Sequence, residues 1–373
     1  MTKKQVLRCI CFLLVACVML YVLCDLFEQE NGGNTDRSFY TYRNLKKDTV
    51  DAVFIGTSGV ACYWVSPLAY EEYGMTVYNL SSDALPAWLY PNVIDEALTY
   101  QDPELIILDI RPFTSAEVDA DTMDAHARYV LDAMDIFSLN RHKTAIKTMN
   151  TIHETFADAP AFDISYFLSF AKYHGKWTDA EYLVSYNLGQ RSHKYGGFRL
   201  DRDFSAVIRE QTPTEYDPVV RKELNPLCEQ SLYELLEYIR EKNLNVLFVD
   251  TPKVLGSKMG QTNRVMEILE EEGFECLTYV DLPEDGSFPL DIDFKTDFFN
   301  FGHVNYYGAE KFTHALATYL QTHYQLPDRR EDPRAQQDWD GLYQRLQEDL
   351  KEIEVETAAR GDSDSAVNFP EEG

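Results

Sequence analysis

Short, nearly continuous apolar runs recur along this chain, and stretches of helical composition separate them. The runs are residues 51–56 (DAVFIG), 75–80 (MTVYNL), 104–110 (ELIILDI), 245–250 (NVLFVD) and 276–280 (CLTYV). Residues 67–73, 86–100, 225–242, 261–272 and 308–323 read as helices. A run apolar on both of its faces must be covered on both, which is the condition of a strand in a parallel sheet with helical crossovers. The expected fold is therefore α/β, a doubly wound, mostly parallel five-stranded sheet. A composition 45% hydrophobic and 13% aromatic is ample for its core.

The alternation stops between about 112 and 222, where Tyr, Phe, His and Asp are frequent and stretches such as 124–139 read as helices. This predicts a helical insertion after the third strand, at the sheet edge where α/β folds carry ligand-binding loops. The α/β domain then spans 49–325. Residues 28–48 are polar, contain a Gly-Gly pair and read as a linker; residues 326–373 are charged and read as a solvated appendage with a helix near 339–356.

At the N-terminus, Lys3, Lys4 and Arg8 precede an apolar run from Cys9 to Cys24, extended by Leu26 and Phe27. With Val6 and Leu7 it approaches the roughly 20 residues that span a bilayer. Residues 1–27 are expected to anchor the chain in the cell membrane as a single pass. Basic residues before the run and Asp25, Glu28 and Glu30 after it place the N-terminus in the cytoplasm and the rest outside. A cleaved signal peptide and a lipidated Cys17 after Leu14-Val15-Ala16 use the same residues; all three readings export the domain.

A formal charge of -28 excludes DNA or RNA as a natural partner, because phosphate neutralisation needs a basic surface. Cys62, Cys228 and Cys276 follow no zinc spacing and read as buried thiols. Asp291, Asp293 and Asp297 lack the Gly and Glu of a calcium loop, so no metal or cofactor is expected.

Two segments carry residues suited to chemistry. Phe54-Ile55-Gly56-Thr57-Ser58-Gly59 runs from a strand into a tight turn, which exposes a hydroxyl on rigid backbone; Ser58 in that place equally suits a helix cap. Asp297 to Asn305 (DFFNFGHVN) sets His303 on a loop before the last helix, within reach of the same edge, where a neutral imidazole serves as general base.

Gly56-Thr57-Ser58 near the start and residues 302–312 (GHVNYYGAEKF) near the end resemble the first and last blocks of SGNH/GDSL hydrolases. Residues 70–80 (YEEYGMTVYNL) and 172–177 (KYHGKW) add to the likeness, which covers about 48–322. It is strongest to the anchored bacterial branch resembling D-alanyl-lipoteichoic acid transfer proteins and alginate-type O-acetyltransferases. The resemblance implies Ser58 as nucleophile and His303 as base. It places an oxyanion or substrate site at the backbone N–H groups of Ser58 or Gly59 and around Ser81 and Ser82, with Asn305 in the trailing block.

This chain departs from the family pattern in three places. Thr57 stands where the motif has Asp, and Asp109-Ile110-Arg111 follows the third strand where the superfamily often has an oxyanion-hole Asn, leaving Arg111 as a substitute. Asn300 stands where Asp commonly precedes the His, so either Asn300 orients the imidazole, or Asp297 does, or the site is a dyad.

The implied activity is an extracytoplasmic acyl esterase or O-acyltransferase acting on an acylated glycan or teichoic acid, with a multi-pass membrane O-acyltransferase as partner. The competing reading is a non-catalytic assembly or glycan-binding subunit of the same fold. Trp177, Tyr173, Tyr186 and Tyr195 are candidates for a sugar-stacking platform, and equally for core or interface packing.

Overall fold

The computed structural model describes residues 1–27, 33–115, 119–179 and 193–360. Five strands, β1 (Ala52–Gly56), β2 (Val77–Ser81), β3 (Leu105–Asp109), β4 (Val246–Asp250) and β5 (Cys276–Thr278), form one all-parallel sheet in the order β2-β1-β3-β4-β5. Alternate residues face opposite ways. Val53, Ile55, Tyr78, Leu80, Ile106 and Leu108 enter one buried cluster, while Ala52, Phe54, Val77, Leu105 and Ile107 enter another. The α/β expectation with its five strands is met.

Helices cover both faces. Against the first pack α2 (Gly33–Asn44), α5 (Tyr90–Tyr100), α6 (Ala120–Ala133) and α7 (Leu139–Thr155), together with α9 (Pro226–Lys242) and α10 (Met259–Glu271). Against the second pack α3 (Ser58–Tyr63), α4 (Ser66–Tyr73), α11 (Tyr306–His323) and α13 (Leu342–Arg360). A short helix, α8 (Phe170–Tyr173), lies between α7 and α9, and α12 (Pro333–Trp339) precedes α13. The chain passes from β1 to β2 on one side and then to β3 on the other. This reversal opens a crevice above the carboxyl ends of β1 and β3.

Three expectations are corrected. The polar stretch 28–48 is not simply a linker, because residues 33–44 form α2; Phe39 and Tyr42 are buried, and Ser38 Oγ donates to the Asn79 carbonyl at 2.7 Å. A helix needs apolar residues on one stripe only, and two aromatics suffice here. The C-terminal region is not an appendage up to Arg360. Trp339, Leu346, Leu350 and Ile353 are buried, the Trp339 ring lies 5.8 Å from that of Tyr70, and Arg329 pairs with Asp51 at 2.6 Å. The single helix expected over 124–139 is two. The first ends at Ala133; Asp135 Oδ1 accepts the Phe137 N–H at 2.8 Å in a turn, and Ser138 caps α7.

Helix α1 (Lys3–Leu26) contains a span, Lys3–Cys24, of mean hydropathy 2.7 whose side chains are exposed along most of its length, Cys24 at its end being buried. It is long and apolar enough to cross a membrane.

Candidate active site

Ser58 stands at the crevice because β1 delivers it there. Gly56 ends the strand where the chain must pass close to β3; a Cβ at this position would meet Asp109 Cβ at 2.5 Å and Val60 Cγ2 at 2.6 Å. Thr57, rather than Ser58, is the N-cap of α3, its Oγ1 accepting the Gly59 N–H at 3.3 Å and donating to Asp109 Oδ2 at 3.1 Å. The capping role that Ser58 suited is therefore filled by its neighbour. Ser58 Oγ instead lies 2.8 Å from His303 Nε2, across 245 positions of sequence.

His303 comes from a hairpin, where a loop was expected. Strands β6 (Phe298–Asn300) and β7 (His303–Val304) pair antiparallel with Asn300 opposite His303, so the tight turn at Phe301-Gly302 brings their side chains together. Asn300 Oδ1 accepts the Gly302 N–H at 2.8 Å and lies 3.1 Å from His303 Nδ1. The backbone donor fixes which amide atom faces the ring. An oxygen there requires Nδ1 to carry the proton, leaving Nε2 as acceptor for the Ser58 hydroxyl. The Phe299 ring stacks on the imidazole with centroids 5.4 Å apart and an interplanar angle of 19°. Burial, with the nearby Arg111 and Arg199 guanidinium groups, holds the His303 pKa well below the ordinary histidine value, so the ring is neutral.

The hairpin turn is pinned from three elements. Arg111 Nη1 donates to the Gly302 carbonyl at 2.7 Å, and the Val254 N–H donates to the Phe301 carbonyl at 2.8 Å. Tyr63, on α3, places its hydroxyl against the Gly302 carbonyl at 3.0 Å, donates to the Pro252 carbonyl and accepts from Arg111 Nη2 at 2.9 Å. Arg111 Nη2 also donates to the Pro252 carbonyl at 3.0 Å. One planar guanidinium thus ties β3, the loop after β4, α3 and the hairpin into a frame. Beneath it, buried Asp109 accepts from Thr57, Thr251 and the Arg111 N–H. Tyr63, Thr251 and Val254 escaped the sequence reading, and Asp109 entered it only as a neighbour of Arg111 with no role; Tyr63, five positions after Ser58, offered a local sign.

A cavity of about 790 Å³ opens beside Ser58 and Arg111, with Trp88, Thr151, Lys253 and Phe301 among its lining residues. That volume suits a small organic group and part of a carrier. Two uncommitted donors stand near the reacting hydroxyl. The Ser58 N–H opens α3 and has no acceptor within its own helix, and Arg111 Nε is buried without a hydrogen-bond partner among the described residues.

The other expected donors are committed elsewhere. The Gly59 N–H is held by Thr57, the Ser82 N–H donates to the Gly56 carbonyl at 3.0 Å, and the Ser81 N–H donates to Ser38 Oγ at 3.4 Å. Asn305 is buried as the cap of α11, its amide nitrogen bound to the Val207 and Thr296 carbonyls. Asp297 does not orient His303. It faces Lys311 Nζ at 2.7 Å and Thr296 Oγ1 at 2.9 Å. Both placements follow from α11, whose first turns need a cap and a counter-charge.

Of the aromatic candidates, Tyr195 is buried against Asp349, Trp177 is exposed, and neither they nor Tyr173 line the cavity. Tyr186 lies outside the described residues. The cysteines are free, and burial raises the Cys62 and Cys228 thiols to about 11, as expected of inert packing groups. Among the described residues no group of three His, Cys, Asp or Glu side chains is placed to hold a metal. Comparison with protein-family models and with curated proteins gives no significant match.

Proposed function

We propose that this chain is a Ser-His acyl esterase or O-acyltransferase of the SGNH type, with its helical segment between β3 and β4 inserted into that fold. The observation that carries the proposal is the hydrogen-bonded series Ser58 Oγ, His303 Nε2, His303 Nδ1, Asn300 Oδ1 at the carboxyl edge of the sheet. The motif resemblance at residues 56–58 and 302–312 supports it independently of that geometry.

In the proposed reaction Ser58 Oγ attacks an acyl carbonyl carbon while its proton passes to His303 Nε2. The carbonyl oxygen becomes an oxyanion; the Ser58 N–H and Arg111 are the donors near it. Collapse breaks the bond to the leaving alcohol, which takes the proton from Nε2 and leaves acyl-Ser58. Water or a sugar hydroxyl then repeats the sequence in reverse. Throughout, Nδ1–H stays on Asn300. A neutral amide stabilises the imidazolium less than a carboxylate would, so Asn300 chiefly sets the tautomer.

The proposed setting is the cell membrane, with α1 as a single-pass anchor, the N-terminus cytoplasmic and the site outside. The proposed substrate is an acylated envelope polysaccharide or teichoic acid, and a multi-pass membrane O-acyltransferase is the proposed source of acyl groups. Incubation with p-nitrophenyl acetate tests the reaction. A burst of nitrophenolate with one acetyl group on Ser58, absent in Ser58→Ala, is expected. No burst and no adduct would favour the glycan-binding or assembly reading. Added sugar alcohols that accept the acetyl group would mark a transferase.

A further inference from the structure

We infer that the segment carrying Phe137, Leu139, Phe162 and Ile164 inserts its apolar side chains into the lipid surface beside α1, so that the domain is held against the bilayer at a second point. The inference rests on the reading of α1 as a membrane anchor.

Six large apolar side chains in this part of the chain, Phe137, Leu139, Ile146, Phe162, Ile164 and Trp177, are between 47% and 73% exposed. Scattered single exposures need no explanation, but these stand on elements that touch one another. Leu139, His142 and Ile146 share one stripe of α7 by their spacing. His142 packs on the Phe167 ring at 6.0 Å, and Phe162 stacks on that ring at 6.3 Å, which joins the loop after α7 to the stripe.

The patch adjoins the anchor. The Tyr21 ring stacks on Phe137 with centroids 5.4 Å apart, Phe170 of α8 meets Phe27 edge-on at 5.5 Å, and Ser169 Oγ donates to the Cys24 carbonyl at 2.8 Å. Tyr21 lies three residues inside the end of the span Lys3–Cys24, a rise of about 4.5 Å. A ring stacked on Tyr21 shares its depth, so Phe137 reaches the hydrocarbon boundary if α1 crosses the bilayer. Trp177, four residues beyond α8, is 70% exposed, as an indole seated among lipid headgroups would need to be.

The segment is also less acidic than the rest of the chain: residues 137–178 contain three Asp or Glu against five Lys or Arg, where the chain's totals are 62 and 34. Arg141 is buried and Lys147 and Lys172 pair with Glu234 and Asp124, so the apolar side chains carry the contact, and the shortage of carboxylates spares it repulsion from anionic lipid. Function follows from α7 itself. Its first half carries the patch, and Lys147, Thr151, Glu154 and Thr155 of its second half line the cavity beside Ser58. Leu139 and Thr151 are separated by about 18 Å along the helix. Seating the patch therefore sets the cavity at a fixed short height above the membrane, within reach of a lipid-linked substrate.

Fluorescence of the full chain in vesicles of phosphatidylcholine and phosphatidylglycerol with brominated acyl chains tests this. Trp64, Trp88 and Trp339 are buried in the domain, so the emission lost in Trp177→Phe isolates Trp177. In that background, Tyr21→Trp reports the anchor, Phe137→Trp the patch, and Val355→Trp an exposed site on a helix of the other sheet face. Bromination is expected to lower the Trp177 signal and the Tyr21→Trp and Phe137→Trp emission roughly twofold or more, at the 5–10 Å depth of interfacial side chains, and to leave Val355→Trp unchanged. Quenching of Tyr21→Trp with neither Phe137→Trp nor Trp177 affected would overturn the inference while leaving the anchor intact, and would make the patch a protein-binding face. Tyr21→Trp unquenched would remove the anchor and the inference together.

Discussion

Asn300 Oδ1 accepts from the Gly302 N–H at 2.8 Å and, at 3.1 Å, from His303 Nδ1, so the asparagine dictates which imidazole nitrogen faces Ser58. A carboxylate at position 300 would accept the same two hydrogens and stabilise the imidazolium as well. Asn300→Asp should therefore raise kcat/KM and move the acid limb of its pH profile upward. Asn300→Leu should lower kcat/KM by about 10–100-fold through loss of the tautomer, as when a histidine loses its outer partner. Steady-state ester hydrolysis between pH 4 and 9, on the order of one profile per variant, distinguishes these outcomes.

The wild-type profile itself is constrained. Burial, reinforced by Arg111 and Arg199, disfavours the charged form of His303, so its pKa is depressed well below the ordinary value. Activity should stay level as pH falls from neutrality through about 6.5 and decline only well below it. An acid limb centred at the ordinary histidine value would show the imidazole to be solvated and unpaired.

Two histidines also link stability to pH. His193, whose N–H meets Thr41 and whose ring meets Asn34 on α2, is pushed down to about 3 by burial, with Arg37 and Arg199 adding to it. Above about 6.5 both His193 and His303 are neutral folded and unfolded, so no penalty arises. Below it the unfolded chain binds protons that the folded chain refuses, and stability falls by about 1.4 kcal/mol per pH unit for each group until the folded pKa is reached. His193→Gln should remove one proton's worth of that slope, measured by urea denaturation at several pH values.

Arg111 holds the hairpin with a fork that an ammonium cannot reproduce. Arg111→Lys is expected to cost about 2 kcal/mol of stability. Because the turn carrying His303 then shifts, it should also lower acylation on the order of 10²-fold. Thermal unfolding and burst kinetics on the same sample separate the two effects.

The C-terminal helix provides a test of the packing. Leu346 is fully buried against the face that includes Leu68 and Leu316. Leu346→Ala should cost about 2–5 kcal/mol, as for a core leucine. A change near zero would mean that α13 is detached.

The strands were legible because a strand buried on both faces leaves an unbroken apolar run; the five expected runs contain β1 to β5 to within a residue or two at most ends. Helix α2 and the C-terminal helices were misjudged because their buried stripes are narrow and their exposed faces dominate the composition. Ser58 and His303 were visible through their position beside a strand end and a final helix. Asn300 and Arg111 came to notice only as departures from a family pattern, and the frame around them did not, since Arg111 acts through carbonyls of Gly302 and Pro252, and backbone acceptors leave no trace in residue type. Asp297 was the plausible third member by charge alone, yet Lys311, fourteen positions on and itself on α11, claims it.

Whether Ser58 is a nucleophile activated by His303 is tested most directly by treating the full chain with a fluorophosphonate and locating the adduct by peptide mass mapping. A single adduct on Ser58, lost in Ser58→Ala and strongly slowed in His303→Ala, is predicted. An unlabelled native chain, or an adduct that persists in Ser58→Ala, would contradict it.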